Sequence, residues 1–158
     1  MCSEIDILCI GAVLWDVIGR RDGAMAEGDD RPGQITRAPG GVALNVAMAL
    51  RRSGLRPALL SAVGEDANGT ELLAECAKMG LETSYVLRSA TTPTDSYMAI
   101  EAKGRLIAAI ADARGLERAG DRILDALSDG RLGSETAPYA GPVALDGNLT
   151  TDLLARIA

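Results

Sequence analysis

Residues 39–64, PGGVALNVAMALRRSGLRPALLSAVG, decide how the rest of this chain is read. The stretch opens on Gly40 and Gly41. Glycine lacks a Cβ, so backbone or ligand approaches closely there and positive φ carries no penalty. A helical pattern follows at once. Val42, Val46 and Leu50 recur every four residues, with Ala43 and Ala47 beside them, which predicts one apolar stripe. Arg51 and Arg52 fall in the last turn, where cations suit the helix dipole, and Gly54 stands where a glycine ends a helix. One polar side chain, Asn45, lies in the first turn. A helix that starts at a Gly-Gly pair presents free N–H groups and the positive end of its dipole. Asn45 adds one donor and one acceptor to the same space. That set suits the hydroxyls of a neutral polyol as well as an anion. The plainer reading of these residues is a tight glycine turn with Asn45 as a local cap.

The spacing goes further. Gly40, Gly41, Ala43, Asn45, Ala47, Gly54 and Gly64 together resemble the N-terminal signature of the ribokinase-like (PfkB) family of carbohydrate and nucleoside kinases. The resemblance implies a three-layer α/β fold with a mostly parallel sheet and a small antiparallel β lid. It also implies that Gly40, Gly41 and Asn45 lie against the sugar.

Outside this stretch, composition narrows the class. A chain of 158 residues holds one ordinary domain with a sizeable core, and 47% hydrophobic against 24% charged residues reads as globular. With no Phe, one Trp and three Tyr, the core is predicted to be aliphatic. A net charge of −6 without a basic block argues against nucleic acid as a partner. The absence of His excludes Ser-His-Asp and Cys-His catalysis and His-based zinc sites within the chain. Cys2, Cys9 and Cys76 lack CxxC spacing and read as free thiols of a reducing compartment. The acidic start MCSEID is unlike a signal peptide, and the apolar run over 7–15 is too short to span a bilayer. A cytoplasmic protein without a membrane partner is the expectation.

In chain order, 5–13 reads as a buried parallel-type strand. Asp16 follows it, near the carboxyl end where ligands gather in open α/β sheets. A carboxylate there can accept from two hydroxyls at once; a solvated loop Asp is the alternative. The resemblance favours the first, since family members carry an Asp at this point to bind sugar hydroxyls. Trp15 departs from the smaller residue usual before that Asp. No GxGxxG or GxxxxGK[ST] occurs, which disfavours NAD and a Walker-type loop. Glu27, Asp29 and Asp30 lack EF-hand spacing and read as a solvated loop, so no metal site is predicted.

A second strand is predicted over 58–63 and a helix over 66–78, capped by Asp66 or Asn68 and ended by Gly80. This alternation argues for βαβ units. Residues 96–111 read as a hairpin turning at Lys103-Gly104. With flanking strands near 15–37 it would form the lid, which in the family often serves as a dimer interface. Glu101 and Asp112 are its polar points, either exposed structural residues or contacts to substrate. The run YMAIEAKGRLIAAIAD resembles the matching segment of pseudouridine kinases, with Ala113 where those enzymes usually have Met. A helix is predicted over 116–127 with Leu116, Ile123, Leu124 and Leu127 on one face. Ala119-Gly120-Asp121 is not the family's catalytic GAGD, because Arg118 precedes it and no Asp-Thr lies upstream. A loop over 128–142, a short strand over 143–146 and a helix over 152–157 capped by Thr150 complete the chain. Asp146-Gly147-Asn148 resembles the family's D-x-N strand end, where the Asn lies near the phosphate-transfer site.

The expectation is that 1–158 forms the N-terminal, substrate-binding part of such a kinase. The nucleotide site, the anion-hole glycines and the GAGD base normally come from a C-terminal half that is not found here. ATP and Mg2+ are expected for the complete enzyme and not for this chain, which is expected to be inactive alone. Pseudouridine is the first substrate implied; ribose, fructose and 2-keto-3-deoxygluconate are the others. A non-catalytic α/β binding or dimerisation module is the alternative.

Overall fold

A computed structural model describes residues 5–157 of the chain. The central strand, β1 (Ile7–Ile10), has parallel neighbours on both sides. They are β4 (Pro57–Leu60) and β9 (Val143–Leu145). Both faces of β1 are covered, which is why its sequence is continuously apolar. Cys9 and Leu59 face α1 (Val42–Arg52) and α2 (Ala67–Lys78). Leu8, Ile10 and Leu60 face the opposite layer, which holds α3 (Gly115–Ala119), a 3-10 helix (Gly120–Leu127) and α4 (Thr151–Ile157). The predicted three-layer α/β arrangement with parallel strands is therefore present. Beyond Ser61 the second strand continues as β5 (Ala62–Gly64), which pairs in parallel with β6 (Leu87–Ser89).

The helices follow their local signals. Gly41 is the N-cap of α1, and Gly54, at φ 91°, follows its end. Asp66 caps α2 by accepting from the Gly69 N–H at 2.7 Å, and Gly80, at φ 78°, follows. Two expectations are corrected. The buried face of α1 is Ala43, Leu44 and Ala47, whereas Val42 is exposed. As the first helical residue, Val42 looks toward the cleft described below rather than into the core. Residues 116–127 do not form one helix. Gly120 turns to φ 58°, stops α3 and starts the tighter 3-10 segment, while Leu116, Ile123 and Leu124 still reach the core. Cys9 and Cys76 are free and buried, and burial pushes both thiols up to about 11; Cys2 lies outside the described residues. Among the described residues, no helix is long and apolar enough to cross a membrane.

The second sheet stands where the lid is expected, ordered β3-β2-β7-β8; it is mixed rather than wholly antiparallel, because its two antiparallel hairpins join through a parallel β2–β7 pairing. It consists of β2 (Leu14–Arg21), β3 (Gln34–Gly40), β7 (Ser96–Ala102) and β8 (Arg105–Asp112). The β7–β8 turn uses Lys103 and Gly104 at φ 51° and 70°, the positive pair that matches the twist of a two-residue hairpin. Register fixes what lies on each face. Asp16 stands beside Ala38 on one side and Tyr97 on the other, and Tyr97 beside Ala111.

Candidate functional site

A cleft of about 490 Å3 opens where the lid meets the three-layer body. Its lid wall carries Asp16, Tyr97 and Ala111, its floor Gly41 and Asn45 at the start of α1. Leu116 and Glu117 of α3 form a third wall, and Asn148 and Thr150, after β9, a fourth.

The glycine pair has two separate jobs. A Cβ on Gly40 would overlap the Asp16 carboxylate, so Gly40 makes room for that side chain. Gly41 sits at φ 100°, and a Cβ there would overlap the Ala12 carbonyl. Helix α1 can thus start directly beneath the β1–β2 connection. Partial burial holds the Asp16 carboxyl above the usual carboxylate range. Asn45 does not cap α1 through its side chain. Its main-chain N–H donates to Gly41 O at 2.9 Å and its side chain is left exposed to the cleft. Two polar groups, one acceptor-only on the lid wall and one mixed on the floor, therefore share the cleft with no partner among the described residues. Such a pair is suited to vicinal hydroxyls.

Trp15, next in the chain to Asp16, turns the other way. It is buried among core residues, its Nε1 donates to Asn68 O at 2.9 Å, and the Arg37 guanidinium lies 3.5 Å from its ring centre. The unusual residue before Asp16 therefore does not form a cleft wall.

Asn148 is positioned by Asp146, which is buried. Asp146 Oδ1 accepts from the Asn148 N–H at 2.8 Å and Oδ2 from the Ala12 N–H at 3.0 Å. Gly11, at φ 150°, leaves the room that this carboxylate fills. The cleft thus brings together Asp16, Gly41, Asn45 and Asn148, with Gly40 directly behind Asp16. It does not bring in the other two lid residues singled out from sequence. Glu101 pairs with Arg20 at 2.7 Å, away from the cleft. Asp112 is exposed at the end of β8, and its neighbours Ala111 and Ala113 line the cleft instead. Tyr97, Glu117 and Thr150 line it without any local motif to announce them.

Asp95 is a further residue that sequence reading missed. It is 8% exposed at the root of the lid. Both of its carboxylate oxygens accept from the Gly115 N–H, at 3.0 and 2.9 Å, and its carbonyl accepts from the Trp15 main-chain N–H at 3.1 Å. It ties β2, β7 and α3 together, three of the elements that build the cleft. Burial pushes its carboxyl up to about 6, with Asp112 adding to the rise. The folded state therefore favours the protonated form. The corresponding stability is present below the unfolded value of 3.8 and is lost as pH rises through about 6. Asp95→Asn keeps an acceptor for Gly115 and cannot ionise. Its melting temperature should rise relative to wild type between pH 4 and pH 7. Parallel melting curves across that range would exclude Asp95 as the responsible group.

Among the described residues, the cleft lining contains two carboxylates and no lysine or arginine. Among the described residues, no group of three or more His, Cys, Asp or Glu is placed to hold a metal. These walls fit a neutral, hydroxyl-rich ligand and do not fit a triphosphate with its metal.

Comparison with known proteins agrees with the geometry. The sequence pattern of the pfkB family of carbohydrate kinases matches residues 4–122. An uncharacterized sugar kinase of Escherichia coli is 31% identical over 146 residues, 92% of this chain and 39% of that protein. The pseudouridine kinase of the same organism is 34% identical over 107 residues, 67% of this chain and 34% of that protein. The chain thus spans less than half the length of these relatives. A carbohydrate kinase from Agrobacterium tumefaciens superposes with a TM-score of 0.70 at 24% identity, over 98% of this chain and 49% of that one, which shows the shared fold. By the pattern that spans most of its length, and by the fold that carries the cleft, the chain belongs to the pfkB family of carbohydrate kinases.

Proposed function

We propose that this chain supplies the acceptor-binding part of an ATP-dependent kinase that phosphorylates a hydroxyl of a neutral sugar or nucleoside, with pseudouridine as the first candidate. One observation carries the reading. The Asp16 carboxylate and the Asn45 amide line one cleft of about 490 Å3 beside Gly40 and Gly41 at the start of α1, neither side chain with a partner among the described residues. Asp16 would accept from two hydroxyls while Asn45 bonds a third, and Asn148 would lie toward the hydroxyl that receives the phosphoryl group. The likeness to a pseudouridine kinase supports that nucleoside. Ribose and fructose fit the same groups. 2-Keto-3-deoxygluconate fits less well, because its carboxylate would face Asp16 and Glu117 with no cation on the walls.

The role of the described residues is to bind and orient. Phosphoryl transfer rests mostly on positioning and on stabilising charge. We assign ATP, Mg2+ and the base that takes the hydroxyl proton to a part of the enzyme outside 1–158. A cytoplasmic setting agrees with the free thiols of Cys9 and Cys76. A homodimer through the lid is supported by Ile35, Met98, Ile100 and Ile110, which are exposed on the face turned away from Asp16.

Thermal-shift titration of the chain with pseudouridine, ribose, fructose and ATP–Mg, each alone, tests this reading. A sugar-like ligand at ten times its Kd should stabilise by about 1.4 kcal/mol. That corresponds to roughly 3–5 °C for a domain of this size. ATP–Mg alone should do nothing. Stabilisation by ATP–Mg and by no sugar would overturn the proposal. A module with no ligand site would respond to none of the four.

A further inference from the structure

We propose that Tyr97 and Glu117 form a base-reading subsite, so that the cleft selects a nucleoside over the free sugar; this rests on the acceptor-site reading above. The lid register lays a row of side chains across one face: Ala38, Asp16, Tyr97 and Ala111 on four adjacent strands. Neighbouring strands run about 4.8 Å apart, so the Tyr97 ring stands immediately beside the hydroxyl-binding carboxylate. Its partner on β8 is only an alanine, which leaves the ring uncovered on that side. Aromatic side chains are scarce here. Trp15 is buried in one core cluster, Tyr85 packs against the other, and the Tyr139 hydroxyl donates to Pro142 O. Tyr97 is the one aromatic residue on the cleft.

The α3 wall completes the subsite. Glu117 lines the cleft, and its carboxylate has neither an ion pair nor a hydrogen bond among the described residues. The short helix that carries it is fixed to the lid root through the Asp95–Gly115 contact. A carboxylate oxygen accepts hydrogen bonds, and among the described residues no cation lines this cleft. A ligand that uses both residues has a flat π face and ring N–H donors next to its ribose. A uracil joined to ribose through carbon offers two such N–H groups, and one joined through nitrogen offers one. A free sugar offers neither the π face nor a ring N–H.

Equilibrium binding of this chain to pseudouridine, uridine and ribose tests the subsite by calorimetric titration. Wild type should bind pseudouridine at least about tenfold more tightly than ribose, in line with stacking on one aromatic ring. Tyr97→Ala should remove most of that advantage and leave ribose within about twofold, while Tyr97→Phe retains it. Glu117→Ala should cut the preference for pseudouridine over uridine at least about threefold. Circular dichroism checks that each variant is folded, and Glu117→Gln replaces any that is not. Equal affinity for pseudouridine and ribose, or variants that weaken both ligands alike, would overturn the subsite. If Asp16→Ala in the same titrations also leaves every ligand unaffected, the acceptor-site reading itself fails. Loss of all binding in Asp16→Ala, with Tyr97 and Glu117 variants silent, rejects only the subsite.

Discussion

Asp16→Ala should weaken binding of pseudouridine or ribose by at least about a hundredfold and leave the chain as stable as wild type or more so. The carboxylate is placed to accept from two hydroxyls, and hydrogen bonds to a charged group are worth about 1.5–3 kcal/mol each. Losing both costs about 3 kcal/mol or more, which is a factor of roughly 10² or above. Stability moves the other way because Asp16 is held half-buried with no partner among the described residues, and burial raises its pKa. Its charge opposes folding at neutral pH, so its removal relieves the fold. Asp16→Asn keeps the shape without the charge and should fall between the two in affinity. Calorimetric titration and thermal unfolding on the same three proteins check both halves. An alanine variant that binds like wild type would remove Asp16 from the site.

Gly41→Ala should be the most destabilising single change in the cleft. The residue sits at φ 100°, and a new Cβ would strike the Ala12 carbonyl. Backbone strain of this kind costs about 1–3 kcal/mol before any clash. The obstructing atom is main chain, and Ala12 is itself held by Asp146. A total of about 3 kcal/mol or more corresponds to a melting point lower by roughly 6–12 °C. Gly40→Ala offers the contrast. The three atoms nearest its Cβ would all belong to the Asp16 carboxylate, a side-chain end that can rotate away. That variant should melt near wild type and lose ligand affinity. Similar melting points for both variants would show that the close approach of α1 to the β1–β2 connection is not a constraint.

Much of the fold could be read from local pattern. The unbroken apolar run of β1, the Asp66 and Gly80 signals of α2 and the Lys103-Gly104 turn each act within a few residues, and each stands as expected. Gly40, Gly41, Asn45 and Asp16 were legible because a short motif holds most of them together. What escaped is what long-range register assembles. Tyr97 reaches Asp16 only because β2 and β7 pair in parallel from distant parts of the chain. Asp95 meets Gly115 across the whole lid hairpin. Glu117 reaches the cleft because the Asp95–Gly115 contact docks the start of α3 on the lid, and α3 itself ends at Gly120 where an unbroken helix over 116–127 was the expectation from leucine spacing. Val42 shows the same limit at smaller scale. Periodicity marks an apolar stripe but does not say that its first member faces a ligand space.

The opposite orientations of Trp15 and Asp16 give the molecule an intrinsic optical reporter. The chain has a single tryptophan, one peptide bond away from Asp16. Its indole is fixed to α2 through Asn68 O and covered by the Arg37 guanidinium of the adjacent lid strand. Arg37 is itself tied to α2 through Glu71 and Asn68, so a displacement of the lid root against α2 should change the surroundings of this indole and its emission. Fluorescence of this protein should therefore report how the lid root is seated on α2, with no background from a second tryptophan.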